Sequence, residues 1–227
     1  MQRLDKFLSE AGAASRREIK KLVRSGAVTV NGSPAKAPEQ PVSETDVICL
    51  HGQPVEGRRI VVLMLHKPAG YLSATEDAKD PTVMDLLPEK YRIWGVAPVG
   101  RLDKDTEGLL LLTNDGGLAH RLISPASGVE KVYYARHEGS CTEADVSAFA
   151  AGIMLKDGTL CKPAKLEPLG PGESRVTLTE GKYHQVRRML ASLGHPVSYL
   201  KREREGSLTL GDLPKGEYRE LSMDCFV

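Results

Sequence analysis

The chain has 227 residues, of which 41% are hydrophobic and 27% are charged, and its formal net charge is +1. This composition is typical of a soluble globular protein with one or two domains. It excludes a membrane-spanning helix, because apolar runs such as residues 61–65 and 109–112 are far shorter than the roughly 20 residues that cross a bilayer.

The four cysteines are widely separated, and no two of them form a Cys-x-x-Cys pair. Such spacing argues against a zinc site or a disulfide framework and is typical of proteins of the reducing cytoplasm. The first residues are charged where a secretory signal would be apolar. We therefore expect a cytoplasmic protein with no bound metal and no membrane association.

Positive charge is concentrated in two segments of the chain. Residues 1–36 contain eight Lys and Arg against three acidic residues, and residues 182–204 contain six against one. Either segment alone would suit a solvated helix face. Together, in a nearly neutral protein, they indicate two surfaces that contact phosphates.

Two helices are predicted at the start of the chain. Apolar residues recur at helical spacing from Leu4 to Ala11, and a second helix follows the capping box of Ser15 and Glu18 and ends at Gly26. The outer face of the second helix is basic and supplies candidate phosphate contacts. These are Arg16, Arg17, Lys20, Lys21 and Arg24.

A β-hairpin is predicted next, because Asn31-Gly32 follows the strand-like residues 28–30. This helix–helix–hairpin pattern resembles the S4 RNA-binding domain, and the matching segments are residues 3–8, 15–18 and 26–32. The resemblance implies that residues 1–58, including a turn-rich linker, bind structured RNA through its shape and phosphates. Residues 59–227 would then form the second domain.

The second domain combines short strands with a few helices. Apolar or alternating runs predict strands, and capped amphipathic runs predict helices. The predicted strands are residues 61–65, 109–113, 131–136, 175–179, 197–200 and 208–210, and the predicted helices are residues 82–87, 118–123, 142–152 and 184–193. The pattern predicts an α+β fold with a mixed, largely antiparallel sheet and flanking helices.

The segment with the most chemical information is residues 100–116, in which Asp103 lies in a charged loop just before a buried strand. Functional carboxylates often lie on such loops because the scaffold holds them rigidly. A lone aspartate in a turn more often bonds its own backbone, so the residue pattern alone favours that structural interpretation. Asp105 is most simply interpreted as a solvent-facing neighbour.

Residues 100–116 resemble the catalytic motif of the RsuA/RluA superfamily of pseudouridine synthases, in its RsuA-like branch. The resemblance implies that Asp103 is the catalytic carboxylate and that Arg101 helps to displace the target base. Further matching motifs follow in order along the chain: Lys67-Pro68 beneath the site, Lys131-x-Tyr133 and residues 180–189. The resemblance assigns Tyr133 to stacking on uracil.

The resemblance also implies that Lys182 is the cation that pairs with Asp103. Some relatives have Arg at this position, and Lys keeps the charge but lacks the planar fork of guanidinium. Tyr134 competes with Tyr133 for the stacking role, since adjacent strand residues face opposite sides of a sheet. Further RNA contacts are expected from His184, Gln185, Arg187 and Arg188.

Three functions remain open from the sequence. Residues 180–186 and 201–204 look closer to the branch that acts on small-subunit (16S) ribosomal RNA. The alternatives are the same chemistry on 23S RNA and an inactive protein that only binds ribosomal RNA. The expected partner is ribosomal RNA or a ribosomal subunit precursor, and we expect a monomer that needs no cofactor.

Overall fold

The computed structural model describes residues 1–43 and 45–226, except for the side chains of Pro125 and Phe226. The chain divides into two compact units. The first contains Met1–Ile60 and Pro88–Val96, and the second contains Val61–Leu87 and Ala97–Val227. The predicted domain boundary after residue 58 stays a prediction. None of the described helices has both the length and the apolar character to cross a lipid bilayer.

The described residues of the first unit form three helices and six short strands. The helices are α1 (Leu4–Glu10), α2 (Arg16–Arg24) and α3 (Glu89–Ile93). The strands are β1 (Gln2–Arg3), β2 (Val28–Val30), β3 (Ser33–Pro34), β4 (Pro41–Val42), β5 (Ile48–Leu50) and β6 (Gln53–Pro54). Strand β1 pairs with β4, and the other four form a sheet in the order β3-β2-β5-β6.

The local signals of the first unit are confirmed. Ser15 and Glu18 form the predicted reciprocal capping box at the start of α2. Asn31 and Gly32 both have positive φ angles, 52° and 79°, as a two-residue hairpin turn requires, and they join β2 to β3. The apolar faces of α1 and α2 meet the sheet in one core that includes Leu4, Leu8 and Ile19.

The second unit is built on a nine-stranded mixed sheet. Its strands are β7 (Val62–Lys67), β8 (Ala97–Val99), β9 (Glu107–Thr113), β10 (Lys131–His137), β11 (Lys165–Gly170), β12 (Glu173–Leu178), β13 (Val197–Glu205), β14 (Leu208–Thr209) and β15 (Tyr218–Leu221). The main order is β11-β12-β10-β13-β9-β7-β15. Its flanking helices are α4 (Gly116–Ile123), α5 (Glu143–Ala151) and α6 (Gln185–Ser192). The predicted α+β fold is confirmed.

The centre of this sheet is fully apolar. Residues 109–112 of β9 and residues 62, 63 and 65 of β7 have no exposed surface. Strand β9 pairs antiparallel with β7 and parallel with β13, whereas the other strand pairs described in this sheet are antiparallel. The central strands are therefore buried on both faces, which explains why their sequences are continuous apolar runs.

Several elements differ from their predicted extents. The segment predicted as a helix at residues 82–87 is a 3₁₀ turn at Val83–Leu86. Strand β13 continues to Glu205 through charged residues, five residues beyond its predicted end. Strands β11 and β15 and helix α3 were not predicted. The two strands lie at the ends of the sheet and are largely exposed, so their sequences lack the alternation that marks a half-buried strand.

The parallel junction between β9 and β13 depends on a glycine. Gly108 has a φ angle of +110° and pairs with Arg202, and a Cβ atom there would lie 2.6 Å from the Arg202 backbone nitrogen. Real Cβ atoms essentially never come so close to backbone. The two strands meet at this register because residue 108 has no side chain.

We predict that Gly108→Ala lowers the free energy of unfolding by about 3 kcal/mol, because the strain at positive φ is added to a clash with backbone that cannot move aside. Gly211→Ala is the matched control, since Gly211 also has positive φ (+58°) but open space around the position of a Cβ. The Gly211→Ala control is expected to lower the free energy of unfolding by about 1 kcal/mol. Urea denaturation measures both, and equal losses would show that the close strand approach is unimportant.

Candidate active site

A small cleft of about 70 Å³ collects the predicted catalytic residues in the second unit. Four segments line it: the loop between β8 and β9, strand β10, the turn between β12 and α6, and strand β13. The cleft residues include Arg101, Asp103, Tyr133, Lys182, His184 and Gln185. Residues about 80 positions apart in the chain therefore share one site, as the motifs predicted.

A larger groove of about 420 Å³ crosses the outer strands of the sheet, and its two arginines are compensated by acidic partners. Arg175 pairs with Glu167 and Glu203, and Arg204 pairs with Glu130. Exposed pairs of this kind occupy solvated surfaces without implying chemistry. The smaller cleft, with its carboxylate and tyrosine, is the candidate active site.

Asp103 lies at the mouth of the cleft, with its side chain 30% exposed. One carboxylate oxygen lies 3.4 Å from Nε2 of His184, which is the ion-pair partner of Asp103 among the described residues. The backbone carbonyl of Asp103 accepts hydrogen bonds from the Thr106 amide at 3.1 Å and from Lys67. The backbone is thus fixed while the carboxylate stays accessible.

Lys67 holds the loop from beneath. Its side chain is fully buried, and Nζ donates to the carbonyl oxygens of Asp103 at 3.1 Å, Lys104 at 3.2 Å, Thr106 at 2.8 Å and Pro68 at 3.0 Å. Burial lowers the pKa of Lys67 to about 8, although the nearby carboxylates of Asp105 and Asp103 oppose that change. The sequence placed Lys67 beneath the site without showing that it organises the loop.

Ser73 adds a second constraint on the same loop. Its hydroxyl donates to the carbonyl of Leu102 at 2.9 Å and accepts from the Leu102 amide at 3.1 Å. The Gly70 amide also donates to the carbonyl of Lys104 at 2.7 Å. The segment after β7 therefore forms hydrogen bonds to the backbone on both sides of Asp103. These bonds fix the position from which the Asp103 side chain projects.

Tyr133, and not Tyr134, faces the cleft. The Arg202 guanidinium lies beside its phenol, and burial raises the pKa of Tyr133, so the phenol is neutral. Tyr134 faces elsewhere and accepts a hydrogen bond from Arg136. The alternation of a strand thus gives the cleft one tyrosine.

Arg202 is a buried cation that the sequence did not identify as part of the site. Its Nε donates to the carbonyl of Leu109 at 2.7 Å, and its guanidinium lies 3.2 Å from Glu205. Burial alone would lower the pKa of Arg202, but the carboxylate of Glu205 raises it above the usual value. The guanidinium therefore stays charged behind Tyr133. In the sequence, Arg202 falls in the basic segment 182–204 and beyond the predicted strand end at residue 200, so nothing there indicates its burial.

Lys182 lines the cleft, but the structure does not form the expected ion pair with Asp103. Its ammonium lies 3.5 Å from Glu180 and donates to the carbonyl of Leu160. Glu180 is buried, so its carboxylate needs a cation close by, and Lys182 is two residues away. Lys182 therefore pairs with Glu180, and His184 lies beside Asp103 instead.

His184 has an unusual backbone for a residue with a side chain. Its φ angle is +47°, and its ring stacks on Tyr183 with centroids 3.9 Å apart. Backbone strain of this kind tends to be kept where it positions a functional group. Here it turns the imidazole, expected to contact RNA, toward Asp103.

Three other residues predicted to bind RNA are engaged within the protein. Gln185 is buried and its amide bonds to the carboxylate of Glu180 at 2.6 Å. Arg187 pairs with Asp105 at 2.9 Å, and Arg188 pairs with Asp157 at 2.5 Å. The RNA-binding role of Gln185 is not supported by this position, and the charges of both arginines are already compensated.

Two predicted RNA-binding features remain accessible. Arg101 is exposed at the edge of the cleft. In the first unit, the five basic residues of α2 are all exposed, and none has an acidic partner among the residues that the structure describes. The α2 face is therefore an uncompensated positive surface.

An RNA-binding helix–hairpin unit followed by an α+β unit with a carboxylate cleft is the arrangement of an RNA-modifying enzyme. The chain belongs to the RNA pseudouridylate synthase family, whose model matches residues 61–192. The S4 domain model matches residues 2–48, which confirms the resemblance of the first unit. The chain is accordingly an RNA pseudouridine synthase.

Relatives match along nearly the whole chain. An uncharacterized RNA pseudouridine synthase of Bacillus subtilis (strain 168) is 46% identical over 227 residues, covering 97% of this chain and 95% of the relative. Ribosomal small subunit pseudouridine synthase A of Escherichia coli (strain K12) is 39% identical and covers 97% and 96%. A crystal structure of a pseudouridylate synthase has a TM-score of 0.68 at 36% identity, covering 99% of this chain and 97% of that one.

We predict that Lys67→Met lowers turnover at least tenfold and the free energy of unfolding by roughly 2 kcal/mol, because loop carbonyls lose their buried donor. Lys104→Met is the control, since Lys104 lies in the same loop but forms an exposed ion pair with Asp80. Urea denaturation and pseudouridine formation on ribosomal RNA measure the two effects. Unchanged turnover in Lys67→Met would refute its role in positioning the loop.

Proposed function

We propose that this enzyme converts one uridine of 16S ribosomal RNA to pseudouridine, with Asp103 as the catalytic carboxylate. The observation that carries the proposal is the position of Asp103, which is accessible in a cleft beside Tyr133 while its backbone is fixed by Lys67. A turn aspartate with only a local structural role would need no such buried support.

Access of the carboxylate to the ribose requires the nucleotide to leave the RNA stack. Base flipping costs a few kcal/mol, and least in a loop. Arg101, exposed at the cleft edge, can offset that cost by contacting phosphate or by occupying the place of the displaced base. The cleft is small, so it suits one base and not a stretch of RNA.

Tyr133 offers the uracil ring a rigid aromatic surface. The ring is buried, with the Arg202 guanidinium beside its phenol, so the surrounding packing holds it in the cleft. Stacking of a base on an aromatic side chain contributes about 1–3 kcal/mol. The bond between the base and the sugar is thereby held next to Asp103.

The carboxylate of Asp103 then breaks the glycosidic bond, by attack on the sugar carbon or by removal of a sugar proton. Either route releases uracil, which rotates so that its C5 bonds to the sugar carbon C1′. The bond between C1′ and Asp103 breaks at that step, or the proton taken from the sugar is returned. C5 then loses its proton to a base and N1 gains one, so the product is an isomer of uridine. His184 supplies a group that can donate to the carboxylate, and Lys182 remains a proposed catalytic cation because it lines the same cleft. An ionised aspartate needs such positive or donor groups close by.

The assignment to small-subunit RNA rests on relatives. Several proteins named ribosomal small subunit pseudouridine synthase A are 39–42% identical across nearly the full chain. Asp103 and Tyr133 stand in the cleft, which favours an active enzyme over an inactive RNA-binding protein. The proposed partner is therefore ribosomal RNA or a precursor of the small subunit.

We predict that a strain lacking this protein loses one pseudouridine from 16S RNA, and that Asp103→Asn does not restore it. Asp105→Asn is the matched control, because Asp105 lies two residues away but is 68% exposed and pairs with Arg187. Carbodiimide mapping detects the modification, which leaves the mass of the RNA unchanged. The Asp105 variant is expected to restore it.

The outcomes of this experiment separate the alternatives. Loss of a pseudouridine from 23S RNA alone would reject the 16S assignment, and no loss from either RNA would reject activity on ribosomal RNA. Restoration by Asp103→Asn would reject the catalytic role of Asp103. Binding of that variant to a 16S transcript, measured separately, shows whether the fold is intact.

We predict that replacing the five basic residues of α2 by Gln weakens binding to ribosomal RNA and flattens its salt dependence. Each phosphate that the variant no longer neutralises should reduce the log–log slope by roughly 0.7–0.9. The control replaces Lys6 and Lys90, which are already paired with Glu10 and Glu56. An unchanged slope in the α2 variant would show that this face does not bind the RNA backbone.

A further inference from the structure

Three potential metal ligands meet at one end of the large sheet. His137 ends β10, Cys141 lies in the turn before α5, and His195 lies in the turn between α6 and β13. One ligand atom from each lies within 4.8 Å of the other two. His137 and His195 are buried. The sequence predicted no metal site because its cysteines are scattered, and spacing along the chain could not show that Cys141 meets two imidazoles.

The hydrogen bonds of the two imidazoles fix their tautomers. Nδ1 of His137 lies 3.1 Å from the carbonyl oxygen of Glu138, and Nδ1 of His195 lies 3.0 Å from the same oxygen. A carbonyl oxygen only accepts, so each Nδ1 carries a proton and each Nε2 is left for another partner. Metal-binding histidines are oriented in this way, by a carbonyl that accepts from the other ring nitrogen.

Each remaining nitrogen has a partner that an ion would replace or share. Nε2 of His137 accepts a hydrogen bond from the Ser174 hydroxyl at 2.8 Å and lies 3.6 Å from Sγ of Cys141. Nε2 of His195 lies 3.3 Å from a carboxylate oxygen of Asp145. An ion bound to Nε2 of His137 displaces the Ser174 hydrogen, and that hydroxyl keeps Sγ of Cys141 within 3.4 Å. Gly139 gives the His195 ring room, since a Cβ there would lie 3.3 Å from Nδ1.

We propose that His137, Cys141 and His195 bind one zinc ion. Two imidazoles and one thiolate are the donor types that zinc takes in proteins. Zn–N and Zn–S bonds of about 2.0–2.1 and 2.3 Å at a tetrahedral angle separate N and S by about 3.5 Å. The His137–Cys141 distance of 3.6 Å already matches that separation. Water fills the fourth position.

The role of this ion is structural. It ties the end of β10 to the start of β13 and to the turn before α5. His137 lies four residues beyond Tyr133 on β10, about 13 Å along the strand, so the ion does not touch the cleft. The two strands it ties carry Tyr133 and Arg202, and it therefore braces the frame that holds the cleft tyrosine.

The test is titration of the metal-free, full-length protein with Co²⁺ as a spectroscopic substitute for zinc, followed by competition with Zn²⁺. We expect one equivalent to bind, with the charge-transfer absorption of a cobalt–thiolate bond and the visible bands of tetrahedral coordination. Zinc should displace the cobalt and raise the melting temperature, because it binds the folded state.

Matched variants locate the site. Cys141→Ser should abolish the cobalt–thiolate absorption, and His195→Asn should weaken binding at least tenfold, whereas Cys225→Ser should bind as the unmodified chain does, because Cys225 is exposed and remote in sequence. If the unmodified protein develops no stoichiometric cobalt–thiolate absorption, the proposal is overturned. Equal binding by Cys141→Ser and Cys225→Ser would also overturn it.

Discussion

The hydrogen bonds of one buried ammonium group shape the loop on which the proposed chemistry depends. Lys67 donates to the carbonyls of Asp103, Lys104 and Thr106, and it does so from the last residue of β7, a strand with a fully apolar centre. Removing a charge from water is costly, so these carbonyl oxygens must offset that cost. The hydrogen bonds that stabilise the buried ammonium of Lys67 also hold the loop so that the Asp103 carboxylate faces the cleft. The same contacts therefore determine both the stability of the cation and the position of the carboxylate.

The other side of the cleft depends on the approach of β13 to β9. Gly108 lets the two strands pair, and this register brings Arg202 of β13 close enough to bond the carbonyl of Leu109. Arg202 in turn lies beside the phenol of Tyr133 and stays charged because Glu205 is next to it. A residue without a side chain therefore determines where the aromatic ring of the cleft lies. Both walls of the cleft are positioned by groups that do not themselves reach the RNA.

The sequence predicted those parts of the fold whose signals are local. The capping box of Ser15, the Asn31-Gly32 turn and the apolar runs of β7 and β9 each depend on near neighbours and are confirmed. Strands β11 and β15 gave no such signal, because edge strands exposed to solvent have no buried face to mark them. The synthase motifs predicted which residues share the cleft, since the family fold brings those segments together.

The sequence could not predict which cation lies beside Asp103. Lys182 fits by charge and position in the motif, yet Glu180 is buried, also accepts from Gln185 and Lys162, and still needs a positive charge. Competition between two carboxylates for one ammonium is decided by burial, because the buried carboxylate loses more by being left alone. Asp103 is partly exposed and can be satisfied by His184 and by water. Under the proposed function, a bound nucleotide covers Asp103 and removes that water, so the balance between the two carboxylates changes when the cleft is filled. In that proposal, Lys182 has a physical reason to move toward Asp103 only when the RNA is bound.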